Sequence, residues 1–475
     1  MHRAAFSLLP ALVLAALALF GTRAVVASDT LLQLTGWAEI PSTYRRPGSP
    51  VSGQFTTGPV NGVTPPYAGQ PIPGFSGMIP GPDPDTFYAL PDNGYGAQNN
   101  SADFVIGFYV VKPWFKTTGD GTTSRGPVSV LSYTPFSDPS GYLNKSYITD
   151  GPVYARTNYY STGLQIAVDP SIKNGRLLTG ADFDVESITR MDDGTFWVGE
   201  EFGPYLLHFD AQGRLLRAPV RHPVVRAPQN PDNAALGPAN LPSSRGFESM
   251  TRNGDGSRLY VTTESSIDSQ PDKRLLKIFE FDTDAEVYTG HDFVYAKDSS
   301  DPIIGGMHDT TNVFLTGDMT HVSDDRYIII ERDDFQGPPA SAAPPRQKKL
   351  YLFDLNETDS VTGVLKKRLL VDLLDIADPQ DIGGPLVGIP PRTFKFPLQS
   401  VETVTPVDAF TLLVALDNNY PGGNGRVPGT PDGTEMITLR SKVPLRTLKV
   451  QPCKDASTGA RNGLAKRDGE AEDCK

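Results

Sequence analysis

Residues 182–203, DFDVESITRMDDGTFWVGEEFG, combine two short apolar runs with seven carboxylates and one arginine. Val185 to Met191 is predicted to be a β-strand, Asp193-Gly194 is a favoured hairpin turn, and Thr195 to Gly199 is rich in residues that favour strands. Glu200 and Glu201 follow the second strand directly. The stretch therefore predicts a hairpin that ends in an acidic loop.

The same pattern recurs along the chain. GFESMTRNGDGSRLYVTTES at 246–265 repeats both the Glu-Ser-x-Thr-Arg segment and the turn, and QSVETVTPVDAFTLLVALDNNYPGG at 399–423 keeps the glutamate and the acidic exit. Less regular copies of this hairpin, each with acidic residues at the exit of its second strand, lie at 75–96 and 317–337. After several hairpins come a further apolar strand, a polar turn and another strand, as in LLHFD at 206–210 and LYLFD at 350–354. Four antiparallel strands per repeat are typical of a β-propeller blade.

The fold class is therefore predicted to be all-β, a single β-propeller. The repeats start near residues 77, 186, 248, 318 and 402, and the long first interval has room for an extra blade at about 130–180. This spacing predicts about six four-stranded blades, with a range of five to seven. Residues 31–40 are predicted to form a strand that closes the ring with the C-terminal blade.

Three segments are predicted: a signal peptide at 1–27, the propeller domain at 28–445 and a polar tail at 446–475. The first has an early arginine, an apolar core and small residues before the cleavage site. It is too short for a comfortable membrane span, and no later stretch approaches one. Cys453 and Cys474, the only cysteines, lie in the tail and could pair in an oxidising compartment. We expect a secreted protein, either extracellular or in the periplasm or cell envelope.

The charge balance bears on the partners. The full chain carries −12, and removal of residues 1–27 takes away two cations and no acid, which gives −14. An acidic surface repels phosphate backbones and argues against nucleic acid as a partner. Cations, or small anions held through a bound cation, are more compatible with an acidic surface than nucleic acid is. We expect a monomer that acts on a small molecule.

The repeated glutamates are the candidate site. First strands of propeller blades lie beside the central axis, so Glu186, Glu248 and Glu402 are predicted to converge. Converging carboxylates raise one another's pKa unless a cation neutralises them, and Ca²⁺ accepts several such oxygens. Alternatively, each glutamate binds backbone amides of the next blade. Arg190 and Arg252 follow their glutamates by four residues and could hold an anionic substrate or pair with those glutamates.

Familiar catalytic motifs are missing from the sequence. It contains no G-x-S-x-G, H-E-x-x-H, Walker or G-x-G-x-x-G motif and no complete EF-hand loop. The histidines do not cluster as a metal set. A Ser/His/Asp triad therefore cannot be assigned.

The three best repeats, at 182–216, 246–265 and 400–423, together with FSGMIPGPDPDTFYALPDNGYG at 75–96, resemble the phytase-like family, described as having the esterase-like activity of phytase. The similarity extends over about residues 35–440. It implies a secreted propeller that hydrolyses phosphate or other esters with bound calcium. With such an activity, the repeated Glu186, Glu248 and Glu402 are the catalytic candidates, and Arg190 and Arg252, which follow two of them on the same strand face, are the substrate-binding candidates. The metal candidates are Glu186, Glu200, Glu201, Glu248, Glu264, Glu402 and Asp417.

Two further functions remain open at this point. One is a propeller without catalysis that binds a cation, a glycan or a protein. The other is a lactonase-type propeller hydrolase with a single deep calcium site. No compact group of Lys and Arg is visible in the sequence, which disfavours phytate itself and leaves smaller phosphoesters or carboxylic esters.

Overall fold

The computed structural model describes residues 31–143, 168–298 and 314–450. The predicted signal peptide and the two cysteines lie outside these ranges. Within them the chain is almost entirely strand and loop. The two α-helices are short, Pro170–Asn174 (α1) and Asn233–Leu236 (α2), and the 3₁₀ turns are Gln98–Asn100 and Leu445–Thr447. No helix in the described ranges is long and apolar enough to cross a bilayer.

The strands form five four-stranded antiparallel blades. The first blade contains β2 (Gly77–Pro80), β3 (Phe87–Leu90), β4 (Gly107–Pro113) and β5 (Gly126–Pro135). The second contains β6 (Val185–Arg190), β7 (Phe196–Glu200), β8 (Tyr205–Phe209) and β9 (Val220–Arg221). The third contains β10 (Phe247–Arg252), β11 (Arg258–Thr263), β12 (Leu275–Asp282) and β13 (Val287–Ala296). The fourth contains β14 (Phe314–Ser323), β15 (Arg326–Asp333), β16 (Lys348–Thr358) and β17 (Leu365–Asp372).

The fifth blade is built from both ends of the domain. Its inner strands are β20 (Ser400–Pro406), β21 (Thr411–Asp417) and β22 (Thr434–Ser441), and β1 (Leu32–Ile40) pairs antiparallel with β22 as the outer strand. The predicted closure by residues 31–40 is confirmed. The short strands β18 (Ile376–Ala377) and β19 (Thr393–Phe394) pair with each other, and β18 also pairs with β1.

Five hydrophobic clusters, one at each interface between neighbouring blades, hold the ring together. Phe108 packs with Phe196 between the first and second blades, and Trp197 lies in the cluster between the second and third. The other three clusters join the third blade to the fourth, the fourth to the fifth, and the fifth back to the first. Since the last cluster returns to the first blade, the ring closes with five blades.

The propeller class is confirmed, and the blade number lies at the lower end of the predicted range. No blade lies between the first and the second among the described residues, because one hydrophobic cluster joins these two blades directly. Residues 144–167 of the segment where an extra blade was expected lie outside the described residues. Gly126–Pro135 forms the outer strand of the first blade, and α1 follows in the connection to the second blade. Leu448 and Val450, which lie beyond the boundary predicted at 445, are buried in the cluster between the fourth and fifth blades.

Trp37 should be a main source of stability for ring closure. Its side chain is 0% exposed, and its indole Nε1 donates a hydrogen bond to Glu435 Oε2 at 2.8 Å. We predict that Trp37→Ala lowers the free energy of unfolding by about 3–5 kcal/mol, because a large cavity opens and a buried acceptor loses one of its two donors, the other being Arg426 Nη2. Denaturant unfolding followed by circular dichroism measures this loss.

The matched control is Trp114→Ala, since the Trp114 side chain is 55% exposed. Its effect should stay within about 0.5 kcal/mol. Equal losses from the two variants would contradict the assignment of β1 as a closing strand.

Candidate functional site: an acidic cavity on the propeller axis

The repeated glutamates lie on β-bulges at the start of the innermost strands. In the second blade the pairing passes from Val185 to Ser187 and leaves out Glu186. The same shift leaves out Glu248 in the third blade and Glu402 in the fifth. A bulge breaks the alternation of side chains between the two faces of a sheet and turns the extra residue aside. Each of these glutamates lines the same central cavity.

A second set of side chains comes from the ends of the second strands. Each blade contributes one residue at or next to that end, and all five line the cavity: Asp92, Glu201, Glu264, Arg332 and Asp417. Four of the five positions are acidic. The fourth blade is the exception, with an arginine.

Two glycines let these loops approach the neighbouring blade. A Cβ atom added at Gly246 would lie 2.3 Å from the backbone oxygen of Glu201, and one added at Gly74 would lie 2.3 Å from Cα of Asp417. Gly74 also has φ +130°, a conformation that L side chains rarely adopt. Glycine at both positions therefore brings the acidic loops of adjacent blades together.

The resulting cavity has a volume of about 230 Å³ and is strongly acidic. Two guanidinium groups, Arg245 and Arg332, face nine carboxylates: Asp92, Asp184, Glu186, Glu201, Glu248, Glu264, Asp334, Glu402 and Asp417. All the carboxylates except Asp334 are buried. Within the described ranges no histidine or cysteine lines this cavity.

Several carboxylate oxygens in the cavity have no hydrogen-bond partner in the described part of the chain. They are Glu201 Oε1, Glu248 Oε1 and Glu402 Oε2, on side chains of residues that are only 4–5% exposed. Arg332 Nη2 lies 3.8 Å from Glu248 Oε1, which is too far for a hydrogen bond. A buried charged oxygen without a partner is costly, so these atoms call for a cation or a proton.

The acids come close enough to share an ion. Oxygens of Asp184, Glu186 and Glu201 lie within 4.8 Å of one another, and so do oxygens of Glu201, Glu248 and Glu264. The two triads share Glu201. An all-oxygen donor set of this kind suits a hard divalent cation such as Ca²⁺.

The electrostatics of the cavity without an ion favour protonation. Burial, followed by the charges of Asp184, Glu248, Glu402 and Glu201, raises the pKa of Glu186 well above its usual value. Burial also raises the pKa of Asp184 to about 7. The pKa of Glu402 is likewise raised to about 7 by burial, against the lowering effect of Arg332.

The structure brings together most of the predicted metal ligands and excludes one of them from the cavity. Glu186, Glu201, Glu248, Glu264, Glu402 and Asp417 line the cavity, and Glu200 does not. The Glu200 carboxylate instead accepts backbone N–H groups of Phe202, Gly203 and Tyr205 at 2.8, 2.7 and 2.8 Å. Neighbouring residues at a strand end point to opposite sides, so Glu201 faces the cavity and Glu200 holds the loop.

Arg190 and Arg252 do not line the central cavity. They end β6 and β10, whereas the glutamates begin these strands, and four residues of strand separate the two positions by about 13 Å. Arg252 Nη1 donates to Asp192 Oδ1 at 2.7 Å and to the backbone oxygen of Arg190. Arg252 therefore pairs with a turn aspartate and not with its glutamate.

The cations that do line the cavity, Arg245 and Arg332, were missed from the sequence, as was Asp184. Asp184 lies two residues before the bulged Glu186, and the bulge upsets the alternation that would have placed it. Arg245 directly precedes the 246–265 repeat. Arg332 occupies the acidic-exit position of the most degenerate repeat, and alignment of the five exits is the signal that could have found it.

The fold and the site define a five-bladed β-propeller with a carboxylate-lined cavity on its axis. The chain belongs to the phytase-like family, described as having the esterase-like activity of phytase, since the model of that family matches residues 70–420. An uncharacterized secreted protein of Arthroderma benhamiae is 25% identical over 298 residues, 53% of this chain and 55% of the relative. The match thus spans about half the length of that relative.

Two solved structures with low similarity to this chain show how distant the structural matches are. A GH43 β-1,3-galactosidase is 11% identical, with a TM-score of 0.37 and coverage of 81% of this chain and 60% of that chain. The α-L-arabinanase of Cellvibrio cellulosa is 9% identical, with a TM-score of 0.35 and coverage of 77% and 90%. At these low scores the description of the fold rests on the strand pairing within the chain.

The raised carboxyl pKa values predict a distinctive pH dependence of stability in chelator. The folded state binds more protons than the unfolded chain between the ordinary carboxyl pKa and the raised values near 7 of Asp184 and Glu402. Stability is therefore greatest at low pH within this window and falls as the pH rises through 7. We expect a loss on the order of a few kcal/mol between pH 5 and pH 8. Thermal melting in chelator measures it.

Added calcium should recover most of that loss at pH 8, because a bound cation replaces the protons. A melting temperature in chelator that stays level or increases between pH 5 and pH 8 would contradict the crowding of carboxylates described above.

Proposed function

We propose that the protein is a secreted, divalent-cation-dependent hydrolase of small ester or phosphoester substrates, and that the cation is Ca²⁺. The observation that supports this most directly is the set of buried carboxylate oxygens without partners around one cavity, on Glu201, Glu248 and Glu402. Membership of the phytase-like family supports the class of reaction.

The cation is proposed to bind at Asp184, Glu186 and Glu201, with Glu248 next to them. These three side chains have oxygens within 4.8 Å of one another, and no arginine or lysine in the described ranges forms an ion pair with them. Glu264, by contrast, already contacts both arginines. The metal candidates Glu264, Glu402 and Asp417 would then shape the cavity around the ion, and Glu200 would have only a structural role.

When bound, the cation would supply positive charge that polarises the scissile group and makes water a better nucleophile. The chain's own groups would position the substrate and move protons. Glu402 holds Arg332 through Oε1 and keeps Oε2 without a partner. With a pKa raised to about 7, its carboxyl group is suited to proton transfer near neutral pH.

Two buried donors in the cavity would face the oxygens of the substrate. Arg332 Nε and Asn93 Nδ2 have no acceptor in the described part of the chain, and these residues are only 2% and 1% exposed. A cavity of about 230 Å³ favours a small ester. Its nine carboxylates disfavour a highly phosphorylated molecule such as phytate. Lactones belong to the same range of small esters.

The central test is hydrolysis of a panel of phosphomonoesters, aryl esters and lactones by the purified protein, with calcium and with chelator. We expect activity with calcium that chelator removes. The Glu186→Gln, Glu248→Gln double variant should lose at least about two orders of magnitude in kcat/KM, because it removes two carboxylate charges from the cation site and the surrounding catalytic groups.

The matched control is the Asp192→Asn, Asp255→Asn double variant, which also removes two carboxylates. Both of these aspartates are exposed turn residues outside the cavity, and their replacement should leave kcat/KM within about twofold. Calcium binding without turnover of any substrate would instead support a non-catalytic, cation-dependent binding module. Activity that neither chelator nor the first double variant changes would refute the proposed mechanism.

A further inference from the structure

The fourth blade departs from the chemistry of the other four at one position. Where the other blades place Asp92, Glu201, Glu264 and Asp417 at the exit of the second strand, the fourth blade places Arg332. The arginine is 2% exposed, so it is as deeply buried as the acids that it replaces. Because the other four equivalent positions are acidic, the positive charge of Arg332 needs a physical explanation.

Arg332 contacts carboxylates much as a metal ion would. Its Nη2 atom lies 2.5 Å from Glu264 Oε1 and 2.8 Å from Glu402 Oε1, and Nη1 lies 2.7 Å from Asp334 Oδ1. These contacts are charge-assisted hydrogen bonds, so the guanidinium supplies to the carboxylates the positive charge that a metal ion would otherwise supply. Three carboxylates from three different parts of the ring therefore already surround one fixed positive group.

A second guanidinium adds positive charge on the side of the cavity where Arg332 lies. Arg245 contacts Glu264 through Nη1 and Asp334 Oδ2 through Nη2, the latter at 3.0 Å. Three carboxylates thus share two cations. On the side of the second blade, Asp184, Glu186 and Glu201 form no ion pair with arginine or lysine in the described ranges. The cavity is therefore neutralised on one side and open to a cation on the other.

We infer that Arg332 is a resident cation that occupies the place of a second divalent ion and confines the cavity to one exchangeable cation on the side of the second blade. The inference rests on the cation site of the proposed function and adds its stoichiometry and position. A divalent ion beside Arg332 would be repelled by it and would have to displace it from Glu264 and Glu402. Without the arginine, the same carboxylates form a second cation position.

The test is calorimetric titration of CaCl₂ into the full chain after removal of metal. Wild-type protein should bind one Ca²⁺, and Arg332→Gln should bind two. Arg332→Lys should stay at one, because the charge is kept. Arg252→Gln is the matched control: it removes an arginine outside the cavity that pairs with Asp192, and it should also bind one ion. Two ions in the wild type, or one ion in a folded Arg332→Gln protein, would overturn the inference.

A second pair of variants keeps Arg332 in place and does not depend on the folding of Arg332→Gln. Glu186→Gln removes a proposed ligand and should weaken Ca²⁺ binding at least tenfold. Glu402→Gln removes a partner of Arg332 and the proposed proton-transfer group but no proposed ligand, and it should change the affinity less, within about threefold. Equal losses from the two substitutions would overturn the inference.

Failure of the proposed function has a different signature. If the wild type binds Ca²⁺ with the predicted stoichiometry but hydrolyses nothing, the inference stands and the catalytic proposal fails. If the wild type binds none and Arg332→Gln gains one ion, the exchangeable site on the side of the second blade does not exist, and both the inferred stoichiometry and the proposed cation site are overturned. If neither protein binds Ca²⁺, both proposals are overturned.

Discussion

The burial of like charges on the axis is the constraint to which the rest of the structure responds. Nine carboxylates meet in a cavity of about 230 Å³, and eight of them belong to buried residues. Each ionised group removed from water costs several kcal/mol unless a partner compensates for it. Arg332 and Arg245 pair with three of them, and backbone N–H groups donate to Asp92 and Asp417. The remaining carboxylates are left to protons or to a cation. The five apolar interfaces between blades must therefore offset the unfavourable free energy of burying these charges.

The ring geometry explains how so many acids come to one place. A propeller superposes equivalent positions of its blades around one axis, so a residue type that recurs in the repeat is multiplied at the centre. Bulges turn Glu186, Glu248 and Glu402 toward the axis, and the glycines at 74 and 246 let the chain that enters one blade approach the acidic exit of the preceding blade. A short sequence motif thus becomes a polyvalent site only after the ring has closed.

Local features of this structure could be predicted from the sequence, and features that depend on the closed ring could not. The hairpin, its Asp193-Gly194 turn, the four-stranded repeat and the closing strand 32–40 are local patterns, and the structure contains all of them. The distinction between Glu200 and Glu201 is not local, because adjacent residues face opposite sides and only the bulge determines which side faces the axis. Arg190 was placed with Glu186 by strand alternation, but distance along the strand separates them. The sixth blade was predicted from the long interval between the first two recognisable repeats, and the length of an interval alone does not show whether the segment forms a blade.

The fourth blade breaks the symmetry of the acidic ring, because it places Arg332 where the other four blades place an acid. A ring with an acid at all five exits would attract cations from every side and would have no preferred orientation for a substrate. With Arg332 at one exit, the cavity has a neutralised wall and an anionic wall. Arg332 and Asn93, whose Nε and Nδ2 atoms have no acceptor in the described part of the chain, line the same cavity as Glu201 and Glu248. Such a cavity can place a cation on one side and the oxygens of a ligand on the other. The fourth repeat matches the others least well in sequence, and it is therefore the repeat that makes the two sides of the cavity differ in charge.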